Sequence, residues 1–429
     1  MPLILGRISA WRQDLWGRNA RRSAVALVDQ AVVGATSLFT SLLVGRSEGP
    51  AELGLFAIGI SMNLLAVSAQ EALIMSPLTI FASRFKGGRR ARYLGSTLAQ
   101  YGVSAATFAV VWLLVGAVLA CWRIGPPGTA EVILVLAFVT PAWLLREYVR
   151  RVAFAELNTH VALIIGAVAA TIQMGLLGGL AVAGEVSAVA ALGAVGAASG
   201  LTAVCWLAVR RTGMQFARRQ IPVTMYRHWR IGKWILAGQM ADTIYNSSIP
   251  WILVLMRGKS EAGIYAACCM IVAFANPLVV SLNNVLTPRI ASAYADGGRT
   301  EVRRVTWKVT RVVAVIVGGF CLFIMVSGGF LLTQFYGEPF RGNHLAIAIL
   351  ACAVLVHTLG MPVARALLVL EQSRLLFRVQ LIGTAATYAG TLALLPSFGL
   401  RGVAVSQLGG YVIQLGLLVV YYRTRISRS

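Results

Sequence analysis

The feature that most constrains this chain is the recurrence of long stretches without a single charged residue, among them Phe108 to Ala120, Val161 to Gly184 and Val312 to Thr333. Roughly 20 residues in a helix, each rising about 1.5 Å, cross the hydrocarbon of a bilayer, so these stretches are full or nearly full crossings. Hydrophobic residues make up 58% of the 429 and charged residues 12%, against roughly 45–50% and about 25% in soluble domains. A water-soluble fold has nowhere to hide that much apolar surface. The sequence therefore predicts an all-α integral membrane protein.

Twelve spans are predicted, at 23–45, 53–83, 94–120, 131–155, 160–183, 190–209, 233–256, 262–287, 305–332, 344–370, 376–395 and 402–422. Threaded from a cytoplasmic N-terminus, they place 32 Lys and Arg on the cytoplasmic side. Only six fall opposite: Arg46, Arg123, Arg257, Lys259, Arg341 and Arg401. A bias that alternates loop by loop supports the span count, because one missed or invented helix would scramble it. The net charge of +23 is thus a topological signal, and nucleic acid is not a predicted partner. Residues 1–22 carry Arg7, Arg12, Arg18, Arg21 and Arg22 without the apolar core and small-residue site of a cleaved signal. Ile8, Trp11 and Leu15 allow a basic amphipathic helix on an anionic leaflet; a disordered basic tail is the other reading. Both termini are expected in the cytoplasm, the last seven residues, 423–429, as a short tail.

The chain also repeats itself. Glu52-Leu53-Gly54-Leu55-Phe56-Ala57 returns as Glu261-Ala262-Gly263-Ile264-Tyr265-Ala266, and Gln30 meets Gln239 at the same offset. Gly87-Gly88-Arg89 returns as Gly297-Gly298-Arg299, and Arg150, six residues before Glu156, as Arg365, six before Glu371. Leu192-Gly193-x-x-Gly196-x-Ala198 matches Phe398-Gly399-x-x-Gly402-x-Ala404. Four matches in one order indicate two homologous halves. Six spans per half is an even number, so the halves enter the membrane in the same sense, related by a pseudo-two-fold axis along its normal. The predicted organisation is an N-lobe over 23–209, a basic cytoplasmic linker over 210–232 and a C-lobe over 233–422. The linker's charge reads first as a positive-inside signal and second as a lipid-headgroup site.

Enzymatic chemistry finds no support in the residues. His160, His228, His344 and His357 stand apart, and the six cysteines lie scattered in or beside apolar runs with no Cys-x-x-Cys spacing. Neither a metal site nor a disulfide framework is predicted, no catalytic set emerges, and the predicted loops on the side opposite the termini are too short for a sizeable reaction pocket.

With the repeat in hand, the chain resembles the polysaccharide and O-antigen lipid-linked oligosaccharide flippases of the multidrug/oligosaccharidyl-lipid/polysaccharide (MOP) exporter superfamily. The residues that carry the resemblance are Glu52-Leu53-Gly54-Leu55-Phe56-Ala57, its second copy, Phe335-Tyr336-Gly337-Glu338-x-Phe340, and the Gly-x-x-Gly-x-Ala starts of spans six and twelve. The resemblance implies two six-helix lobes around a central cavity that opens alternately to either side. It also implies a bacterial inner-membrane transporter that moves a polyprenyl-pyrophosphate-linked saccharide outward for surface polysaccharide or lipopolysaccharide synthesis, beside membrane lipids and other polysaccharide-assembly proteins. Two alternatives stand: a drug or metabolite exporter of the same superfamily, and a non-transporting scaffold of an assembly complex.

Ionisable groups inside a span are functional candidates by default. Arg146 and Arg150 lie one turn apart on span four, while Glu147 precedes Arg151 by four residues, the favourable order for an intrahelical ion pair. That pairing predicts Arg146 and Arg150 as unneutralised cations which, with Arg365 on the matching helix, bind an anionic headgroup; guanidinium forks suit phosphate oxygens. Snorkelling to the interface is the other reading. Asp29, Glu71 and Asp242 sit among apolar neighbours. They are either proton or sodium carriers in gradient coupling or structural partners of arginines on adjacent helices. Gln30 and Gln239 are candidates for hydrogen bonds to sugars or to each other, or for interhelical glue. Asn246, Asn276 and Pro277, beside Pro250 and Pro288, mark spans seven and eight as bendable and cavity-lining. Gly175-x-x-x-Gly179 and Gly196-x-x-x-Gly200 predict close helix packing. No cofactor is expected beyond an H+ or Na+ gradient.

Overall fold

The computed structural model describes residues 18–82, 85–156, 158–210, 214–370 and 372–426. The amphipathic segment predicted over 8–15, and Glu371, lie outside the described residues. Within them the chain is helical throughout, in twelve long passages separated by turns or glycine breaks. α1 is Arg18–Glu48, and α2 runs from Pro50–Gln70 through a π-helical turn, Glu71–Met75, into Ser76–Ala82. Next come α3 Gly87–Trp122, α4 Thr129–Ala155, α5 Thr159–Ala183, α6 Ala188–Val209 and α7 Ile221–Arg257. α8 combines Lys259–Val272, a 3-10 turn at Ala273–Ala275 and residues 276–296; a break at Gly297 and Gly298 starts α9, which ends at Tyr336. α10 is His344–Val369, and the run Ser373–Ile426 divides at Gly399 into α11 and α12. Nine stretches among the described residues are long and apolar enough to cross a bilayer; α7 and α8 are not among them, and one stretch, Arg374–Thr424, holds both α11 and α12.

Local chemistry sets the ends. Gly184, in the left-handed region at φ 72°, closes α5, with its N–H donating to Ala181 and that of Glu185 to Leu180, an arrangement that satisfies carbonyls left over at a helix C-terminus. Ser187 caps α6 by accepting from the Ala190 N–H at 3.1 Å, as N-cap serines do. Gly298 (φ 60°) and Gly399 (φ 54°) turn the chain where L side chains would be strained. Pro277 falls in the first turn after the 3-10 interruption of α8, where its missing N–H has no intrahelical partner to lose.

The chain divides into two compact units. One takes in residues up to Ser47 together with Leu55–Trp251; the other takes in Glu48–Gly54 and everything from Ile252. In the first, Leu78, Tyr148, Val149, Val152 and Ala203 centre the buried core, and α4 packs against α3, α5 and α6. In the second, Ile290, Val302, Ala366, Leu367 and Val379 do the same, and α10 packs against α9 and the α11–α12 run.

The glycines of the two repeated hexapeptides, Gly54 and Gly263, meet within the second unit. A β-carbon on Gly54 would lie 1.9 Å from the carbonyl oxygen of Lys259, and one on Gly263 would lie 1.8 Å from that of Pro50. Each glycine lets its backbone approach the other's helix, so only hydrogen fits at either place. Small-residue packing also holds at Gly196 and Gly200, which lie against Val139 and Ala142. It does not hold at Gly175 and Gly179: a β-carbon there meets nothing within 4 Å among the described residues. The predicted seam at these two is corrected accordingly, since spacing alone does not say which helix face meets a neighbour. Gly263→Ala is expected to lower stability by about 3 kcal/mol, the upper end for overpacking, because rigid backbone must move. Gly175→Ala should leave it unchanged or raise it; thermal unfolding of the two purified variants checks the contrast.

Candidate functional site

α4 brings a line of charge into the first unit. Pro141 precedes it, and the Pro141 carbonyl accepts a hydrogen bond from the Tyr101 hydroxyl at 2.8 Å. The Leu144 carbonyl accepts from the Gln70 amide at 2.9 Å. Tyr148, fully buried, donates to the Leu94 carbonyl at 3.0 Å and meets Thr97 at 2.9 Å. α4 is thereby locked to α2 and α3, so the rotation that aims its arginines is fixed.

Arg146 and Arg150 are 8% and 6% exposed, and Asp29 on α1 is 1% exposed. Arg150 donates to both oxygens of Glu147 at 3.1 Å and to Asp29 at 2.5 Å. Arg146 donates to Glu147 at 3.1 Å and stacks over the Trp143 ring at 5.2 Å. Arg151 pairs instead with Glu71, the first residue of the π-helical turn of α2. The expected Glu147–Arg151 pair is therefore absent, and Arg146 and Arg150 are not left as bare cations. Glu147 reaches the arginines on either side of it on its own helix, while Arg151 has a carboxylate from a neighbouring helix within reach. Two carboxylates and two guanidiniums balance in the first group, and one of each in the second. Buried charge in an apolar surround persists only when paired in this way. At the end of the unit where α4 finishes, Glu156 takes Arg210 at 2.7 Å and Arg90 at 3.7 Å.

The remaining candidates are dispersed. Arg365 is half-buried on α10 in the second unit, next to the core residues Ala366 and Leu367. Gln30 is exposed on α1 and Gln239 half-buried on α7 with its amide oxygen unpaired; among the described residues no hydrogen bond joins them. Asn246 is exposed on α7, which runs unbroken past Pro250. Asp242, Asn276 and Pro277 are helical in backbone, and their side chains lie outside the described ones. Sequence reasoning missed the Trp143 face beneath Arg146, although the three-residue spacing that makes such contacts was available. Of the two readings of Asp29 and Glu71, pairing with an arginine is what the structure displays.

Removing one member of the Asp29–Arg150 pair strands the other in an apolar surround. Arg150→Gln is expected to cost about 3–5 kcal/mol. Asp29→Asn with Arg150→Gln should recover part of that loss, and a double-mutant cycle on unfolding in detergent measures the coupling.

Comparison with known proteins places this architecture. The chain superposes on the inward-facing conformation of a multidrug resistance MATE family transporter of the MOP superfamily with a TM-score of 0.75, at 15% identity, covering 92% of this chain and 94% of that one. It superposes on the lipid II flippase MurJ, in an inward closed conformation, with a TM-score of 0.66 at 12% identity, covering 94% and 87%. Capsular polysaccharide biosynthesis protein CapF of Staphylococcus aureus is 22% identical over 180 residues, which is 41% of this chain and 44% of that protein; the match thus spans less than half of this relative. The sequence profile of the polysaccharide biosynthesis protein family matches residues 92–345, more than half of the chain. The protein is a multi-pass membrane protein with the MOP transporter fold, and it belongs to the polysaccharide biosynthesis protein family.

Proposed function

We propose that this protein is a flippase that moves a polyprenyl-pyrophosphate-linked oligosaccharide from the cytoplasmic to the outer leaflet of a bacterial inner membrane, by alternating access, for surface polysaccharide assembly. Membership of the polysaccharide biosynthesis family on a fold similar to that of a lipid II flippase is the observation that carries it. On this reading the termini are cytoplasmic, as the Lys and Arg bias indicates.

The arginines divide in role. Arg150 has its guanidinium occupied by Glu147 and Asp29. Among the described residues Arg146 makes one hydrogen bond, to Glu147, against three made by Arg150, although the Nε of each lacks a partner. We assign Arg146 as the group with donors to offer a phosphate, and Arg150 as the residue that holds Glu147 in place. Arg365 is the corresponding cation of the second unit. Arg146→Gln is expected to lower flipping at least ten-fold at normal protein level, and Arg365→Gln several-fold. Flipping of the accumulated lipid-linked precursor in reconstituted vesicles measures both, and full activity of the double variant would refute the assignment.

Export of a cationic drug is the competing reading, motivated by the MATE likeness. Such a cargo calls for uncommitted carboxylates, and Asp29 and Glu71 both face arginines. Gradient coupling through Asp29 predicts that Asp29→Asn abolishes stimulation by a proton or sodium gradient. An unchanged rate with the gradient collapsed would remove the coupling.

A further inference from the structure

Arginines at the end of the first unit where α4 finishes have no role in the site above. Arg89 and Arg92, in the first turns of α3, and Arg227, in the first turns of α7, line one cavity of about 410 Å³ together with Tyr93 and Thr224. Among the described residues none of the three has a carboxylate within salt-bridge distance: Glu156 is taken by Arg210 and Arg90. Arg92 donates to the Gly88 carbonyl, and Arg227 lies over the Phe81 ring at 5.7 Å. All three side chains are exposed.

The same turn of α7 borders a second cavity of about 480 Å³ with the opposite chemistry, lined mostly by apolar and aromatic side chains such as Leu73, Val103, Phe108 and Trp229, with Gln100, Ser104 and Thr107 among its polar members. Val223, Thr224 and Arg227 face the basic cavity, while Met225, Tyr226 and Trp229 face the apolar one. Along α3, Gln100 to Phe108 lies about 12 to 24 Å deeper than Arg92, the depth range that an acyl chain occupies below its phosphate. α7 is seated against α2 at this point, because Gly232 lies against the backbone of Ala72 and Leu73. Both cavities are thus bordered by α3 and α7, and the apolar one by α2 as well.

We infer that the first unit binds one anionic phospholipid, with its phosphate among Arg89, Arg92 and Arg227 and an acyl chain in the groove between α2, α3 and α7. Charge complementarity fixes the head, since basic pockets between membrane helices take anionic headgroups. The apolar groove beside it fixes the source as a lipid rather than a free phosphate. This inference does not depend on the cargo.

The test uses full-length protein stripped of lipid in a neutral detergent. Titration with phosphatidylglycerol, phosphatidylcholine and inorganic phosphate is read by native mass spectrometry and thermal shift. Phosphatidylglycerol is expected to bind and stabilise, and the other two are not. Each Arg→Gln change should weaken phosphatidylglycerol binding about five-fold, and the triple change on the order of 100-fold. Arg227→Lys, which keeps the charge and loses the planar fork, should fall between wild type and Arg227→Gln. Val103→Trp, which fills the groove, should weaken it about ten-fold without creating affinity for inorganic phosphate. Equal binding of the two lipids, a triple variant that keeps the preference, or a shift by inorganic phosphate alone would each overturn the inference. These arginines are exposed, so loss of folding is not expected; if the triple variant fails to fold, the three single variants carry the test.

Discussion

Hydrocarbon does not tolerate a lone charge, and the first unit is arranged around that prohibition. α4 carries three arginines and a glutamate within six residues, and each finds an opposite charge. The partners come from three sources: α4 itself, α1 and α2. The ion pairs therefore act as cross-links whose strength derives from the low dielectric around them. Polar contacts add to helix placement here, with Tyr148, Gln70 and Tyr101 reaching backbone and hydroxyl groups of adjoining helices. That suits a medium in which apolar side chains gain little by leaving lipid for protein.

Neutrality has a bearing on transport. A carrier that held bare arginines in its interior would have to solvate them whenever its cargo left. Here Glu147 and Asp29 pair with Arg146 and Arg150; under the proposed function, a phosphate that engaged Arg146 would compete with Glu147 for it. The family to which the chain belongs acts in polysaccharide biosynthesis, and the fold is one on which multidrug export and lipid II flipping are both performed. Such breadth is normal for a superfold, where side chains at the site and not the scaffold decide the cargo.

Much of the fold was legible because apolar length is a one-dimensional property. Ten of the twelve predicted spans lie within helical passages, while 344–370 runs one residue past Val369 and 53–83 ends one residue beyond Ala82, outside the described residues; even the break between α11 and α12 falls at a repeated glycine, Gly399. The start of α7 was not legible: residues 221–232 include Pro222, Arg227 and Arg230 among their apolar and aromatic side chains, and the seat of Gly232 against Ala72 and Leu73 is a contact that composition does not reveal. Ion-pair partners were read from helical spacing and came out wrong for Glu147, since a lateral neighbour outweighs an i,i+4 preference of a few tenths of a kcal/mol. Arg146, Arg150, Asp29 and Glu71 could be singled out as buried charge, yet who meets whom depends on helix rotation. Gly175 and Gly179 share the spacing of Gly196 and Gly200 and differ only in which way they point.

Gly54 and Gly263 are the same position in the two copies of an internal repeat, and they lean on one another. Each backbone fills the space that a side chain on the other would need. The same need for a glycine is thus met twice in one chain, once in each copy. Neither copy can drift without the consent of the other.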